Sequence, residues 1–340
     1  MTNEQWETLL ATIDGELFDP LPVGFIIDSP WLPGWAGLST LDYYSSDAKW
    51  LEANLKAIET FPKVMFLPGF WSEFGMCTEP SAFGTKCRWA EQELPYADKI
   101  IASIDDIAQL EKPNPRTDGL LPFVIRRLEL HRKQIEKAGH QIRFAVARGP
   151  LNIATFLMGT TEFLMALRTD PEPIAKLLTL ITDFTADWLT LQKECFPSIE
   201  GIFILDDIVG FLGEADFRQA GLPYLKRLFG CLDVPVRFFH NDAQGLVCAG
   251  FLQEMGVNLF NFSFEHSLGE MKERTGGAVT LLGNVPPRDV MAQGTPDDVV
   301  TRARADLESL EDRSRIILSC GGGMPPEVPT ANIEALIRSA

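Results

Sequence analysis

Side chains that can bind a metal ion follow several apolar segments in the second half of the chain. They are Asp206, Asp207, His240, Asp242, Glu265 and Cys320. Imidazole and thiolate are preferred zinc ligands, and carboxylates can complete the coordination. If these segment ends meet in the fold, the residues could form a zinc site. The structural alternative is that His240 is a core histidine with a backbone partner and Cys320 a small buried hydrophobe.

Three residues are candidates for a direct role in catalysis: Asp207, Glu79 and Arg148. Asp207 could act as a general base or orient a metal ligand. Glu79 lies in the aromatic-rich segment 66–84, which could line a substrate pocket or simply pack over the fold. Arg148 could hold a substrate carboxylate or phosphate, or it could pair with Asp206 or Asp207 as part of the structure.

A few other polar residues are given structural roles. His131 and His140 lie in or just after a predicted exposed helix, so we expect both at the surface. Asn284, in the segment GNVPP, is interpreted as a turn residue, with contact to substrate as the alternative. The glycines 321–323 are expected to allow a tight turn beside the metal site.

The residues named above need a rigid frame, and the sequence predicts short apolar strands that alternate with helices. The predicted strands are 22–28, 63–67, 142–147, 201–207, 234–240, 257–264, 279–285 and 315–320. The predicted helices are 119–138, 171–194, 243–255 and 296–310, the last with Thr295 as its N-cap. Eight such units favour an α/β fold, a (β/α)8 TIM barrel, whose strand ends carry the chemistry on one rim. An open doubly wound sheet is the alternative, but no G-x-G-x-x-G follows the first strand.

Composition and chain organisation narrow the function further. The 340 residues include 47 acidic and 30 basic side chains, and the formal net charge of −17 disfavours nucleic acid and anionic membranes as partners. No signal peptide or membrane span is expected, and six thinly spread cysteines indicate a reducing, cytoplasmic setting. No linker divides the chain, so residues 1–340 are predicted to form one domain with an elaborated N-terminal part, 1–98.

Four segments resemble the uroporphyrinogen decarboxylase (URO-D) superfamily in order and spacing. GIFILDDIVGFLGEADFRQAGLPYLKRLF (201–229) is similar to its strand, acidic turn and LPYLK helix. VTLLGNVPPRDVMAQGTPDDV (279–299) is similar to its GN-x-x-P segment. The segments 148–172 and 315–337 resemble its GP-x-T-x-A and closing G-x-G-x-x-P segments. The resemblance implies a (β/α)8 barrel.

Two branches of that superfamily imply different functions. Decarboxylases acting on uroporphyrinogen carry an R-Q-A-G-R segment for the substrate carboxylates and a catalytic aspartate in an F-S-D motif. Here IIDSPWLPGWAG (26–37) and FLPGFW (66–71) stand at those places, without the arginines or the aspartate. This departure argues against a porphyrinogen substrate and leaves a decarboxylase of a porphyrinogen or smaller acid as the alternative. Such a decarboxylase needs basic pocket residues, for which Arg148 and Arg88 are the candidates. A non-catalytic binding barrel is a further alternative.

The second branch comprises the corrinoid-linked methyltransferases, whose metal site resembles H-x-C, a glutamate on the next strand and a final cysteine. By this resemblance the metal ligands are His240, Asp242, Glu265 and Cys320, with Asp242 in place of the middle cysteine. The resemblance implies zinc or another divalent ion, and methyl transfer between a small thiol, methyl ether or phenol and a corrinoid. No D-x-H-x-x-G cobalamin signature occurs here, so methylcobalamin or a related corrinoid is expected on a partner protein.

Overall fold

Eight short parallel strands occupy the centre of the protein. The computed structural model describes residues 1–27 and 29–340. The strands are β1 Gly24–Ile26, β2 Met65–Leu67, β3 Phe144–Arg148, β4 Gly201–Leu205, β5 Val236–Asn241, β6 Leu259–Phe262, β7 Thr280–Val285 and β8 Ile316–Cys320. Each overlaps a predicted strand, and the predicted (β/α)8 barrel is confirmed. The predicted end of the first strand, Asp28, lies outside the described residues.

The strands are arranged in chain order around the barrel. β3 to β8 form one parallel sheet, and β1 pairs with β2 in a second. Val23 bridges to Leu318, and the Leu318 N–H donates to the Pro22 carbonyl, so the first strand meets the last. In parallel strands all carboxyl ends share one rim, and this topology therefore brings the residues that follow β3 to β8 together.

Helices cover the outside of the barrel and elaborate its early loops. They are α1 Asn3–Asp14, α2 Leu32–Ala36, α3 Thr40–Ser45, α4 Asp47–Thr60, α5 Leu121–Lys137, α6 Pro150–Met158, α7 Thr160–Thr169, α8 Pro171–Cys195, α9 Glu214–Ala220, α10 Leu222–Phe229, α11 Leu252–Met255, α12 Leu268–Arg274, α13 Pro296–Glu308 and α14 Thr330–Ile337. Thr295 caps α13 by accepting from the Asp298 N–H, as predicted. The predicted helix 243–255 is wrong in its first half. A Cβ on Gly245 would lie 1.8 Å from the Gly210 carbonyl oxygen, so this segment packs its backbone against the turn after β4 instead.

Alternate residues along each strand belong to two separate apolar layers. The outer layer, under the helices, includes Ile204, Phe239, Phe260 and Leu318. The inner layer fills the barrel with Phe144, Phe203, Phe238, Leu259, Leu282 and Ile317. The rings of Phe203 and Phe238 stack with centroids 4.2 Å apart. Side chains alternate in direction along a strand, so the next inward positions toward the rim are Arg148, His240, Asn261 and Ser319.

The opposite end of the barrel is closed by α1. Trp6, Leu9 and Ile13 of this helix belong to the inner layer, and the Trp6 ring packs edge-on against Phe144. The helix begins with a capping box between Thr2 and Gln5 and ends at Gly15 in the left-handed region. Because the interior is filled from below, the carboxyl-terminal rim is the end of the barrel where a substrate can enter.

A side chain takes the place of a strand neighbour at the edge of β3. Among the described residues no ladder joins β2 to β3. Instead the Gln192 side chain, from α8, accepts from the Val146 N–H and donates to the Val146 carbonyl at 2.9 Å each. The amide satisfies both backbone groups, since a buried N–H or C=O without a partner is costly. This contact holds β3 in place and therefore positions Arg148 at its end.

No single helix within residues 1–27 and 29–340 is both long enough and apolar enough to cross a membrane. Only α6 and α7 taken together pass such a test of length and composition, and a bend of 107° separates them.

No disulfide links any of the described cysteines.

His140 is buried, so its predicted surface position is wrong. Its ring packs edge-on against Phe70 with centroids 5.8 Å apart. Burial, assisted by the positive amino group of Met1, lowers the pKa of His140 from 6.5 to about 4. The neutral imidazole is therefore the form that the folded protein accommodates.

Stability should fall as the pH drops through the range set by His140. Between pH 6.5 and pH 4 the unfolded chain binds a proton that the folded chain does not, so the free energy of unfolding decreases on acidification. This one group should remove about 2 kcal/mol between pH 7.5 and pH 5. Urea unfolding of wild type and His140→Gln at both pH values measures the effect. An equal pH dependence in both proteins would contradict the assignment.

Candidate functional site

Three of the predicted site residues converge at the ends of β4 and β5. Asp207, His240 and Asp242 each offer a ligand atom, and these atoms all lie within 4.8 Å of one another. The His240 Nε2 atom is 3.6 Å from Asp207 Oδ1 and 3.8 Å from Asp242 Oδ2. His240 is buried, whereas the side chains of Asp207 and Asp242 are 39% and 45% exposed. The group therefore has a rigid base and a side open to solvent.

Asn261, on the neighbouring strand β6, fixes the state of His240. Its Nδ2 donates to the Leu282 carbonyl at 2.8 Å and to the Cys320 carbonyl at 3.3 Å. These two bonds assign the amide nitrogen, so Oδ1 must face His240 Nδ1, 2.7 Å away. Nδ1 then carries a proton, and Nε2, on the side of Asp207 and Asp242, is the nitrogen through which a neutral imidazole can bind a metal ion. A metal-binding histidine is commonly oriented by a hydrogen bond from its other ring nitrogen in this way.

The two carboxylates of the group influence each other. Asp207 Oδ1 accepts from the Asp242 N–H at 3.3 Å, which ties the turn after β4 to the end of β5. Burial raises the pKa of Asp207 and the neighbouring Asp242 adds to this, while His240 acts in the opposite direction. Two carboxylates facing one imidazole are stabilised by a shared cation.

Asp206, the residue before Asp207, has a structural role. It is fully buried, and its carboxylate accepts from the N–H groups of Leu151 at 2.9 Å and Asn152 at 3.1 Å in the first turn of α6. Burial raises the pKa of Asp206, whereas these N–H groups favour its ionised form. A Cβ on Gly149 would lie 2.2 Å from Asp206 Oδ2, so glycine is required there. Asp206 thus anchors α6 to the rim and holds Asp207 in position.

Two predicted ligands do not join the His240 group. Cys320 is fully buried and belongs to the outer apolar layer, and its thiol faces the Gly322 carbonyl at 3.5 Å. Glu265 is exposed, and its N–H donates to Ser263 Oγ at 3.4 Å. The group that could share one ion consists of Asp207, His240 and Asp242. Asp207, predicted as a catalytic residue, occupies the place expected of a further ligand.

Arg148 and Glu79 lie together, in a buried ionic network. Arg148 contacts Glu73 Oε2 at 3.2 Å and Glu79 Oε2 at 3.4 Å, and its own N–H donates to Glu79 Oε1. Ser29 Oγ donates to the second oxygen of Glu73 at 2.9 Å. Burial acts to lower the pKa of Arg148, but Glu79 and Glu73 outweigh it and the pKa is raised. The predicted pairing with Asp206 or Asp207 is not observed, because the segment 66–84 supplies both partners.

The segment 66–84 is packed into the fold. Trp71 belongs to the inner layer, and Phe74 lies beneath the Arg127 guanidinium, 4.7 Å from its ring centroid. Glu73 and Glu79 are 3% and 2% exposed. Arg88, the other arginine that could meet a substrate carboxylate, pairs with Asp98 at 2.7 Å. Both candidate arginines are thus committed to carboxylates of the protein itself.

Asn261 and Glu73 are the site residues that sequence reasoning missed. A polar residue inside an apolar strand, as in VNLFNFSF, marks an inward position with a partner, and this signal could have identified Asn261. Glu73 carries no comparable signal, since its contact with Arg148 spans 75 residues.

Removal of the Arg148 charge should destabilise the protein strongly. In Arg148→Met, Glu73 and Glu79 would be left buried without their cation, which costs about 3–5 kcal/mol of unfolding free energy at pH 7. Arg88→Met, which breaks an exposed pair, should cost far less, because solvent screens that pair. Adding Glu73→Gln and Glu79→Gln to Arg148→Met should recover part of the loss. Denaturant unfolding provides the measurement, and equal losses in the two arginine variants would contradict the network.

Comparisons with known proteins agree with this fold. A uroporphyrinogen decarboxylase from Magnetococcus marinus is 25% identical over 274 residues, which cover 76% of this chain and 74% of the relative. A methyltransferase from Methanosarcina mazei has a similar structure, with a TM-score of 0.80 and 19% identity over 98% of this chain and 96% of that one. A B12-independent methionine synthase from Shewanella sp. W3-18-1 shares the fold more distantly, with a TM-score of 0.54 and 13% identity over 94% and 96% of the chains.

The family model described as Uroporphyrinogen decarboxylase (URO-D) matches residues 5–340. This match spans the barrel strands, the His240 group and the Arg148 network. The chain is therefore a member of the uroporphyrinogen decarboxylase (URO-D) family.

Proposed function

We propose that this protein is a metal-dependent methyltransferase that passes a methyl group between a small thiol, methyl ether or phenol and a corrinoid. The observation that carries the proposal is the group of Asp207, His240 and Asp242, in which His240 Nε2 faces both carboxylates while Nδ1 is held by Asn261. The structural likeness to a methyltransferase supports the same reading at the level of the fold.

The donor set fits a divalent ion. Zinc bonds of about 2.0–2.1 Å in a tetrahedral arrangement place neighbouring ligand atoms roughly 3.3 Å apart. The separations of 3.6 and 3.8 Å from His240 Nε2 require only small side-chain adjustments to reach this value. Three protein ligands leave a position for substrate, as in catalytic zinc sites. One imidazole and two carboxylates form a harder set than thiolates, so zinc, or another divalent ion, is expected.

A bound divalent ion would lower the pKa of a substrate thiol, or polarise a substrate oxygen, near neutral pH. The protein's own residues prepare for this. Asn261 holds His240 in the tautomer that can bind through Nε2, and the N–H of Asp242 orients the Asp207 carboxylate. The barrel packing below keeps solvent away from the inner side of His240. Cys320 and Glu265 stay predicted ligands that the test below can assess.

The corrinoid is expected on a partner protein, and the cytoplasm is the expected setting. The partner would approach the carboxyl-terminal rim, since α1 closes the other end of the barrel. The corrinoid serves as the methyl carrier, while this chain binds and activates the small substrate.

Decarboxylation of a porphyrinogen or smaller acid is the second candidate, because curated relatives such as the Magnetococcus marinus protein carry that name. An acidic substrate needs cations to hold its carboxylates. Arg148 is neutralised by Glu73 and Glu79, and Arg88 by Asp98. Methyl transfer to or from a less acidic substrate therefore fits the rim better.

The decisive experiment is metal content after zinc loading and dialysis. Wild type should retain about one equivalent, and His240→Ala should retain none, since the only imidazole of the group is lost. Cys320→Ser reports on the predicted thiolate ligand, with Cys248→Ser as the control for loss of a buried thiol. Glu265→Gln reports in the same way on the predicted carboxylate ligand. Retention in both variants would assign the ion to Asp207, His240 and Asp242 alone, whereas selective loss in either variant would add that residue.

Activity completes the test. Zinc-loaded wild type should demethylate methylcobalamin in the presence of 2-mercaptoethanol, followed by the change in corrinoid absorbance, and His240→Ala should not. Uroporphyrinogen should release no carbon dioxide with either protein. A wild-type protein that binds no divalent ion, or that decarboxylates uroporphyrinogen, would overturn the proposal.

A further inference from the structure

Two polar atoms at the rim lie buried without a hydrogen-bond partner among the described residues. They are Asn284 Oδ1, in β7, and Ser319 Oγ, in β8, and these residues are 1% and 0% exposed. They stand opposite each other in the β7–β8 ladder. Ser319 follows Ile317 of the inner layer by two positions, so its side chain faces the barrel interior. A buried polar atom without a partner costs free energy, which a ligand group can recover.

The glycine turn after β8 shows where this pair lies relative to the His240 group. A Cβ on Gly321 would lie 2.1 Å from Asn284 Oδ1, so this oxygen occupies the space that the glycine leaves free. A Cβ on the next residue, Gly322, would lie 2.8 Å from Asp242 Oδ2. Asn284 and Asp242 therefore lie against two consecutive glycines. The pair formed by Asn284 and Ser319 is thus adjacent to the candidate metal group.

The hydrogen bonds already formed restrict what can bind to the pair. The Asn284 Nδ2 donates to the His266 carbonyl, so the free Oδ1 is an acceptor and requires a donor from a ligand. The Ser319 hydroxyl can donate or accept. A hydroxyl group satisfies both, because it donates to Asn284 Oδ1 and accepts from Ser319 Oγ–H.

The charge of the rim favours an electrically neutral ligand. Within the His240 group and the Arg148 network, the four carboxylates of Glu73, Glu79, Asp207 and Asp242 stand against the guanidinium of Arg148. A bound divalent ion would still leave this set net negative. An anionic substrate group is repelled here, while an uncharged hydroxyl is not.

We propose that Asn284 and Ser319 form a substrate subsite that binds the hydroxyl group of an uncharged small molecule beside the His240 group. This inference rests on the proposed function, since it names the substrate class of the same rim. It places the reacting sulfur or oxygen toward Asp207, His240 and Asp242, and the hydroxyl toward β7 and β8.

Two matched ligand pairs test the charge preference by calorimetric titration of the zinc-loaded protein. The pairs are 2-methoxyphenol against 4-hydroxy-3-methoxybenzoate, and 2-mercaptoethanol against 2-mercaptoethanesulfonate. The neutral member of at least one pair should bind about tenfold or more tightly than its anionic counterpart. Ser319→Ala should weaken that neutral ligand about three- to tenfold, through loss of one hydrogen bond.

Thr182→Val is the control, because it removes a fully buried hydroxyl from α8, where it donates to the Leu178 carbonyl. The affinity of Thr182→Val for the neutral ligand should stay within about twofold of the wild-type value. The proposal is wrong if no probe binds, if the anionic members bind as tightly, or if Ser319→Ala matches Thr182→Val. Metal content is measured in parallel on each protein. Lost zinc in wild type counts against the proposed function, whereas retained zinc with equal binding of neutral and anionic probes counts against the subsite alone.

Discussion

The rim of this barrel depends on one carboxamide, Asn261. Its side chain bonds to the β7 and β8 backbones through Leu282 and Cys320, and to β5 through His240. The same residue therefore holds three neighbouring strands in register and decides which imidazole nitrogen is free. A hydrophobic side chain at this position would remove a donor from the Leu282 and Cys320 carbonyls and the acceptor from His240 Nδ1. One set of hydrogen bonds therefore gives Asn261 both its structural role and its chemical role.

Below Asn261 the barrel is apolar, and above it the inward positions are polar. Phe203, Phe238 and Leu282 fill the level beneath, and α1 closes the far end. A polar level on a packed apolar base leaves several ionisable side chains of the rim buried, among them His240, Glu73 and Glu79. Charges there are weakly screened and must be matched locally. Arg148 illustrates this, because it is matched by Glu73 and Glu79 from a distant loop.

The sequence predicted the strands and much of the rim because both depend on local patterns. Short Val-, Ile- and Phe-rich runs with polar ends gave eight strands in order, and His240, Asp242 and Asp207 followed from the strand ends. Contacts that depend on register or on long loops were not predictable in this way. Neither the Asn261–His240 bond nor the pairing of Arg148 with Glu73 leaves a signal in local spacing. The prediction of a helix from residue 243 was wrong for a similar reason. The close contact between Gly245 and Gly210 overrides the apolar periodicity of this segment.

The rim divides by strand into three parts with different electrostatics. At β3 the ionic network of Arg148 is internally satisfied and offers no free cation. At β4 and β5 the carboxylates of Asp207 and Asp242 have only His240 to face, which is the situation that a divalent ion relieves. At β7 and β8 the buried polar atoms without a partner, Asn284 Oδ1 and Ser319 Oγ, are uncharged. A substrate that spans the second and third parts must present a metal-seeking atom at one end and an uncharged hydroxyl at the other. A polycarboxylate could bring one carboxylate to the ion, but its other carboxylates would meet the uncharged pair without a cation to match them. The rim as proposed therefore favours a neutral ligand, within a barrel that this chain shares with its family.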